Sequence, residues 1–277
     1  MQSAKQIYNE TVKRINEKYE LSEAKSIAAI LLEDSFDVRR EDVLLDEGVE
    51  IESVHLEELI DRLLQNEPIQ YVTGFSHFLG RKFCVRKGVL IPRPETEELV
   101  QLIVEDNKVE KPRILDVGTG SGCIAISLAL ETEGNVVGLD VSADALQIAR
   151  ENSSTLGAST EFLQHDILSS NPSIMGLDIL VSNPPYIPER DKDQMHENVL
   201  NYEPDVALFV SDDDPLMFYR SIAEFGRKSL IANGKLYFEL HEEYADEVKS
   251  LVVNLGYSQV RIQEDMQGKK RMLSATN

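Results

Sequence analysis

Two short stretches carry residue types whose spacing could do chemistry: Ser182-Asn183-Pro184-Pro185-Tyr186 and Asp116-Val117-Gly118-Thr119-Gly120-Ser121-Gly122. The first suits a planar NH2 group, whose nitrogen is a poor nucleophile because its lone pair is delocalised into a π system. The Asn183 side-chain oxygen and the Pro184 carbonyl can accept both N–H bonds of such a group. Pro184 and Pro185 stiffen the turn because the ring fixes φ, and Tyr186 offers a flat face to the acceptor. Proximity and orientation can remove up to ~7–11 kcal/mol of a barrier, so no dedicated strong base is required. Such a turn suits transfer of a group to an NH2 nitrogen from a donor held in line with it.

The second stretch suits the donor. Glycines let the backbone turn sharply and approach a ligand closely, and a following helix offers free N–H groups. The spacing is GxGxG, whereas the dinucleotide fingerprint is GxGxxG, so a ligand without a pyrophosphate is favoured. About twenty residues on, Asp140 ends a second strand, where a carboxylate can accept both hydroxyls of a ribose. Asp166, read as ending a third strand, is placed to accept from an adenine amino group or else to cap a helix. The candidate cofactor residues are therefore Gly118, Thr119, Gly120, Ser121, Gly122, Asp140, Asp166, its neighbour Ile167, and Asn183, which should lie near both ligands. Asn183, Pro184, Pro185 and Tyr186 form the candidate catalytic set.

The elements that must position these residues follow from periodicity. From Arg113 onward, short apolar runs (Ile114–Val117, Val136–Asp140, Asp178–Ser182, Lys235–Leu240) alternate with helical stretches such as 124–130 and 143–152. That alternation predicts a mostly parallel sheet with crossover helices, closed by an antiparallel hairpin of 259–263 and 271–275. Both motifs then fall at the carboxyl edge of the sheet, where open α/β folds bind ligands. Upstream, apolar residues recur every three or four positions (Ile7, Val12, Ile15; Ile27, Ile30, Leu31), which predicts a small helical bundle. Ser22 and Ser53 are candidate caps for its second and later helices. Aromatic and β-branched residues in 71–75 and 78–85 predict a β-hairpin linker, and an amphipathic helix is expected from about Glu97 to Glu105. The expected divisions are 1–67 helical, 68–92 hairpin linker and 93–277 sheet domain.

Composition narrows the partners. With 49 acidic against 28 basic residues among 277, the net charge is −21, and the mean field repels a nucleic-acid backbone. Direct nucleic-acid binding is therefore not expected. Cys84 and Cys123 lack redox or ligand spacing, and the five histidines never pair at metal spacing, so no metal site is expected and a reduced, cytoplasmic setting is. No secretory h-region or membrane-length apolar run is present, so no membrane association is expected. Acidic residues of the bundle, among them Glu57, Glu58 and Asp61, are expected to complement a basic region of a partner.

Together with the two motifs, Glu67-Pro68-Ile69-Gln70-Tyr71-Val72-Thr73-Gly74 and Val89-Leu90-Ile91-Pro92-Arg93-Pro94-Glu95-Thr96-Glu97 resemble the protein-(glutamine-N5) methyltransferases that modify class 1 peptide chain release factors. The resemblance runs over almost the whole chain. It implies a Rossmann-like class I methyltransferase sheet with an N-terminal helical domain that helps hold the release factor. S-adenosyl-L-methionine is the implied cofactor, and the Gln amide of a Gly-Gly-Gln loop the implied acceptor. Family members often carry an aromatic residue where this chain has Ile167, so aliphatic packing on the adenine is expected instead. The roles of Arg93, Glu95 and Glu97 stay open. Two rivals are a DNA or RNA amino-methyltransferase acting on adenine N6 and a non-catalytic partner-binding protein; the acidic charge opposes the first and the intact acceptor motif the second.

Overall fold

The computed structural model describes residues 1–277, Gln194 by its backbone alone. Met1–Phe75 with His196–Tyr202 form one compact unit, and Ser76–Met195 with Glu203–Asn277 form another.

In the first unit, helices Ala4–Ile15, Leu21–Phe36 and Ser53–Leu64 bury one apolar core, against which Val43 of helix Arg40–Leu45 packs. Ser3 caps the first, accepting the Gln6 N–H at 3.0 Å. The helix starting at Leu21 has no side-chain cap, so Ser22 lies inside it, and Ser53 is the first residue of its own helix rather than the cap. Along Ser53–Leu64, the buried residues Leu56, Leu59, Ile60 and Leu63 follow the i, i+3, i+4, i+7 pattern of a helix with one core face. Glu57 and Asp61 both pair with Arg14, at 2.6 and 3.6 Å, so part of the acidity expected to face a partner is met within the unit.

Residues 71–75 do not form the first strand of a hairpin. Ile69–Thr73 is a short helix, bounded by Pro68 at its start and by Gly74 at φ 80°. The Arg62 guanidinium holds this turn by donating to the Glu67 carboxylate and to the Tyr71 and Val72 carbonyls. The hairpin lies later, at Phe75–Phe78 and Arg81–Cys84. The stretch 196–202 joins the unit through Asn66 donating to Glu197 and the Tyr202 hydroxyl donating to the Gln65 carbonyl, each at 2.9 Å.

The second unit is built on seven strands: β1 (Arg113–Val117), β2 (Asn135–Asp140), β3 (Thr160–Gln164), β4 (Leu177–Ser182), β5 (Leu230–Glu239), β6 (Ser258–Glu264) and β7 (Lys270–Thr276). Their spatial order is β6-β7-β5-β4-β1-β2-β3. The five strands from β5 to β3 run parallel, and β7 and β6 close the sheet as the expected antiparallel hairpin. Alternation of side chains sends Ile114, Ile179 and Val181 into one core and Leu115, Val117 and Leu180 into the other. Helices Pro94–Asp106 and Cys123–Thr132 contribute to the first core, Met217–Ser229 and Ala245–Asn254 to the second. The helix expected from Glu97 starts at Pro94, because proline suits the first helical position. Cys123 is buried and Cys84 half-buried, both as free thiols. Among the described residues no helix is long and apolar enough to cross a membrane.

Candidate active site

The glycine loop leaves β1 and is pinned to β2: the N–H groups of Gly118 and Thr119 both donate to the Leu139 carbonyl at 2.8 Å. Gly118, Gly120 and Gly122 all have positive φ, which only glycine adopts without strain. The five loop residues then divide. Gly118 and Gly120 line a cavity of about 280 Å³. Thr119 turns into the protein and donates to Asp116 at 2.6 Å, and Ser121 is buried. Gly122 caps helix Cys123–Thr132 where a Cβ would stand 2.8 Å from Ile126 Cδ1. The loop is shaped by all five and exposed to a ligand through two.

Asp140 reaches the same cavity. Its Oδ2 accepts the Gly120 N–H and its Oδ1 the Ser142 N–H, each at 2.9 Å, so the carboxylate is fixed while keeping lone pairs free. Burial raises its pKa, against the pull of these amides. Behind the loop, burial pushes the Asp116 carboxyl up to about 7, opposed by the Thr119 hydrogen bond and reinforced by the Asp140 charge. Asp166 lies two residues past the end of β3 and not at it; its Oδ1 accepts the Leu168 N–H at 2.9 Å, which makes it a turn-forming residue on the cavity rim. Ile167 lies on the wall beside it, and Phe218 supplies an aromatic side chain that the sequence did not single out. A cavity with two bare glycines, a fixed carboxylate and apolar walls fits a nucleoside-bearing cofactor.

Asn183, Pro184 and Pro185 line the cavity immediately after β4. Ser182 ties this end of the strand to β1 by donating to the Val117 carbonyl at 2.6 Å. Tyr186 is half-buried, and its hydroxyl donates to Glu239 Oε1 at 3.2 Å. Burial, with the Glu239 charge, pushes that phenol's pKa up, so it stays a donor. Its ring meets His241 edge-on, with centroids 5.7 Å apart. Glu239 also accepts the Thr96 hydroxyl at 2.7 Å, and Thr96 receives Asn183 Nδ2 at 3.4 Å. Thr96 and Glu239 escaped the sequence reading. The one signal for Glu239 was an acid inside the apolar run 236–240. Arg93, left open by the sequence, pairs at 2.6 Å with Glu203, which also accepts the Ile91 N–H at 3.0 Å. That pair fixes the approach to helix Pro94–Asp106.

The family models match in two places, a PrmC N-terminal domain over residues 6–74 and a methyltransferase small domain over 94–203. A release factor glutamine methyltransferase of Bacteroides thetaiotaomicron is 45% identical over 263 residues, covering 93% of this chain and 94% of that protein. The chain belongs to the release factor glutamine methyltransferase family. Another member, from Flavobacterium psychrophilum, is 38% identical, with 92% of each chain covered. Among solved structures, a methyltransferase from Pyrococcus furiosus superposes with a TM-score of 0.55 at 17% identity, covering 78% of this chain and 96% of that one. At that identity the likeness speaks for the fold, and the sheet of this family member is the class I methyltransferase sheet expected from the sequence.

Proposed function

We propose that this protein transfers the methyl group of S-adenosyl-L-methionine to the side-chain amide nitrogen, N5, of the Gln in the Gly-Gly-Gln loop of a class 1 peptide chain release factor. The observation that carries the reading is that Asn183, Pro184 and Pro185 share one cavity with Gly118, Gly120 and Asp140, in a chain whose relatives are named release factor glutamine methyltransferases. When bound, the cofactor supplies an electrophilic methyl sulfonium. The residues that would hold it are Gly118 and Gly120 by close backbone approach, Asp140 through the ribose hydroxyls, and Ile167 and Phe218 along the base.

The protein's own work is orientation. Asn183 Oδ1 and the Pro184 carbonyl accept the two N–H bonds of the Gln amide and aim its nitrogen, and the Tyr186 ring closes the acceptor side. Ile167, Phe218 and Ile222 give the cavity an apolar wall. The proton released on transfer leaves through a hydrogen-bonded group or water, without a dedicated base. The reaction belongs in the cytoplasm, where release factors act.

The test is transfer of labelled methyl to a purified class 1 release factor, in its Gly-Gly-Gln form and in a Gly-Gly-Ala form. Label is expected on the first alone. Label on neither, with transfer to DNA or RNA, would replace this reading with nucleic-acid amino-methylation.

A further inference from the structure

Behind Asn183 and Tyr186 lies a buried polar cluster that the transfer itself does not use. Glu239, at the end of β5, is 1% exposed, and Thr96, in the first turn of helix Pro94–Asp106, is 3% exposed. A carboxylate so placed must be satisfied locally, and it is: Oε2 accepts the Thr96 hydroxyl at 2.7 Å and Oε1 the Tyr186 hydroxyl at 3.2 Å. Burial raises its pKa, opposed by the hydrogen bonds from Thr96 and Tyr186 and by the Arg271 charge.

With a hydroxyl donor on each of its two oxygens, the Glu239 carboxylate acts here as an acceptor alone. A threonine hydroxyl has a single proton. Because Thr96 gives that proton to Glu239, its oxygen can face Asn183 only as an acceptor, and the Asn183 group that it receives is the Nδ2 amide, at 3.4 Å. The Asn183 oxygen is thereby turned the other way. A side-chain amide is otherwise free to exchange its two ends, and the exchanged form would offer NH2 to an acceptor that is itself NH2.

We infer that Glu239, acting through Thr96, is a positioning residue that fixes which end of the Asn183 amide faces the acceptor nitrogen, and that the same carboxylate anchors the ring of Tyr186. The direction of donation runs one way, from Asn183 to Thr96 to Glu239, and ends on a group that cannot reverse it. This inference rests on the methyl-transfer reading above, since it assigns the orientation which that transfer requires.

The experiment compares steady-state methylation of a class 1 release factor by the wild type, Glu239→Gln, Thr96→Val and Thr96→Ser, with melting curves and cofactor Kd for each. Glu239→Gln keeps shape but can donate to Thr96, which frees the threonine proton for Asn183 and inverts the amide. Its kcat should fall about 100-fold, the scale of a ~1 Å misplacement of reacting groups. Thr96→Val only releases the amide and should lose about tenfold, the scale of one neutral hydrogen bond. Thr96→Ser restores the hydroxyl and should recover most of the rate. KM for the release factor and Kd for the cofactor should stay within about twofold in every variant, because the amide's direction matters to aiming the nitrogen rather than to holding either ligand. Wild-type kcat in Glu239→Gln and Thr96→Val, or a serine variant as slow as the valine one, overturns the inference. A loss confined to KM or Kd does the same. If Glu239→Gln fails to fold, the valine and serine pair decides. No label with the wild type would overturn the parent reading, and this one with it.

Discussion

Alanine at Gly122 and alanine at Gly120 should fail in opposite ways, although the two glycines stand in one loop. Both have positive φ, 82° and 54°, and a side chain there costs ~1–2 kcal/mol. At Gly122 the new Cβ also stands 2.8 Å from Ile126 Cδ1 and 3.2 Å from Ala149 Cβ, between two packed helices. Overpacking of that kind adds ~1–3 kcal/mol, for a total of about 3 kcal/mol. At Gly120 nothing lies within 4 Å, so the backbone term stands alone. At ~2–4 °C per kcal/mol for a domain of this size, Gly122→Ala should lower Tm by about 6–12 °C and Gly120→Ala by about half that. Cofactor binding should reverse the order, because Gly120 lines the cavity and Gly122 faces the packing between two helices. Melting with and without saturating S-adenosylmethionine reads both effects, since bound ligand stabilises by RT ln(1 + [L]/Kd). The ligand-induced rise should survive in Gly122→Ala and shrink in Gly120→Ala, whose Kd should weaken about tenfold or more, at least one neutral hydrogen bond's worth. If Gly120→Ala proves the less stable of the two, or Gly122→Ala melts within ~1 °C of the wild type, the division of the loop into packing and binding glycines is wrong.

Three further predictions follow from the same site. Asp140→Asn keeps the shape but presents an NH2 to Gly120 or Ser142 and loses two charge-assisted bonds to a ribose, about 3 kcal/mol, so calorimetry should find cofactor Kd weakened about 100-fold; a change under about threefold contradicts the ribose role. Arg93→Met leaves the Glu203 carboxylate buried with the Ile91 N–H, and denaturant unfolding should show a loss of about 3 kcal/mol, mostly recovered when Glu203→Met is added. Asp116 is held protonated by burial up to about pH 7, whereas the unfolded chain releases that proton near pH ~4. Its stabilisation is therefore full below pH ~4 and is lost as pH rises to about 7, by up to ~4 kcal/mol, while Asp116→Asn lacks this slope. The stability of the wild type minus that of the variant should fall across this window and flatten above it; a flat difference throughout would mean that Asp116 is ionised in the folded state.

The sheet and both motifs could be read from the sequence because parallel strands are short apolar runs and their loops carry the glycines and prolines. Local turns were harder. Tyr71, Val72 and Thr73 favour a strand by composition, yet Pro68 and Gly74 bound a helical turn that Arg62 holds from the end of the preceding helix. The sequence puts Asp166 at a strand end, but β3 stops at Gln164 and the acid serves the next turn. Thr96 and Glu239 were missed for a different reason. They are 143 positions apart, and nothing in either local stretch tells that they meet. The Asn-Pro-Pro-Tyr motif points to the ring of Tyr186 and is silent on its hydroxyl, which the structure ties to Glu239.

The strand order also says something about when the site comes into being. β1, β2 and β3 are joined by successive crossovers, so their pairing closes short loops. The neighbouring seam between β1 and β4 joins residues 65 positions apart, as in the bond from Ser182 to Val117. Closing the longer loop carries the larger entropy cost, so this seam is the slower one to form during folding. Its carboxyl end is where Gly118 and Asn183 come together. The acceptor half of the site therefore forms after the donor half, and a chain stalled with only β1, β2 and β3 assembled would hold Asp140 and the glycine loop but no place for the acceptor.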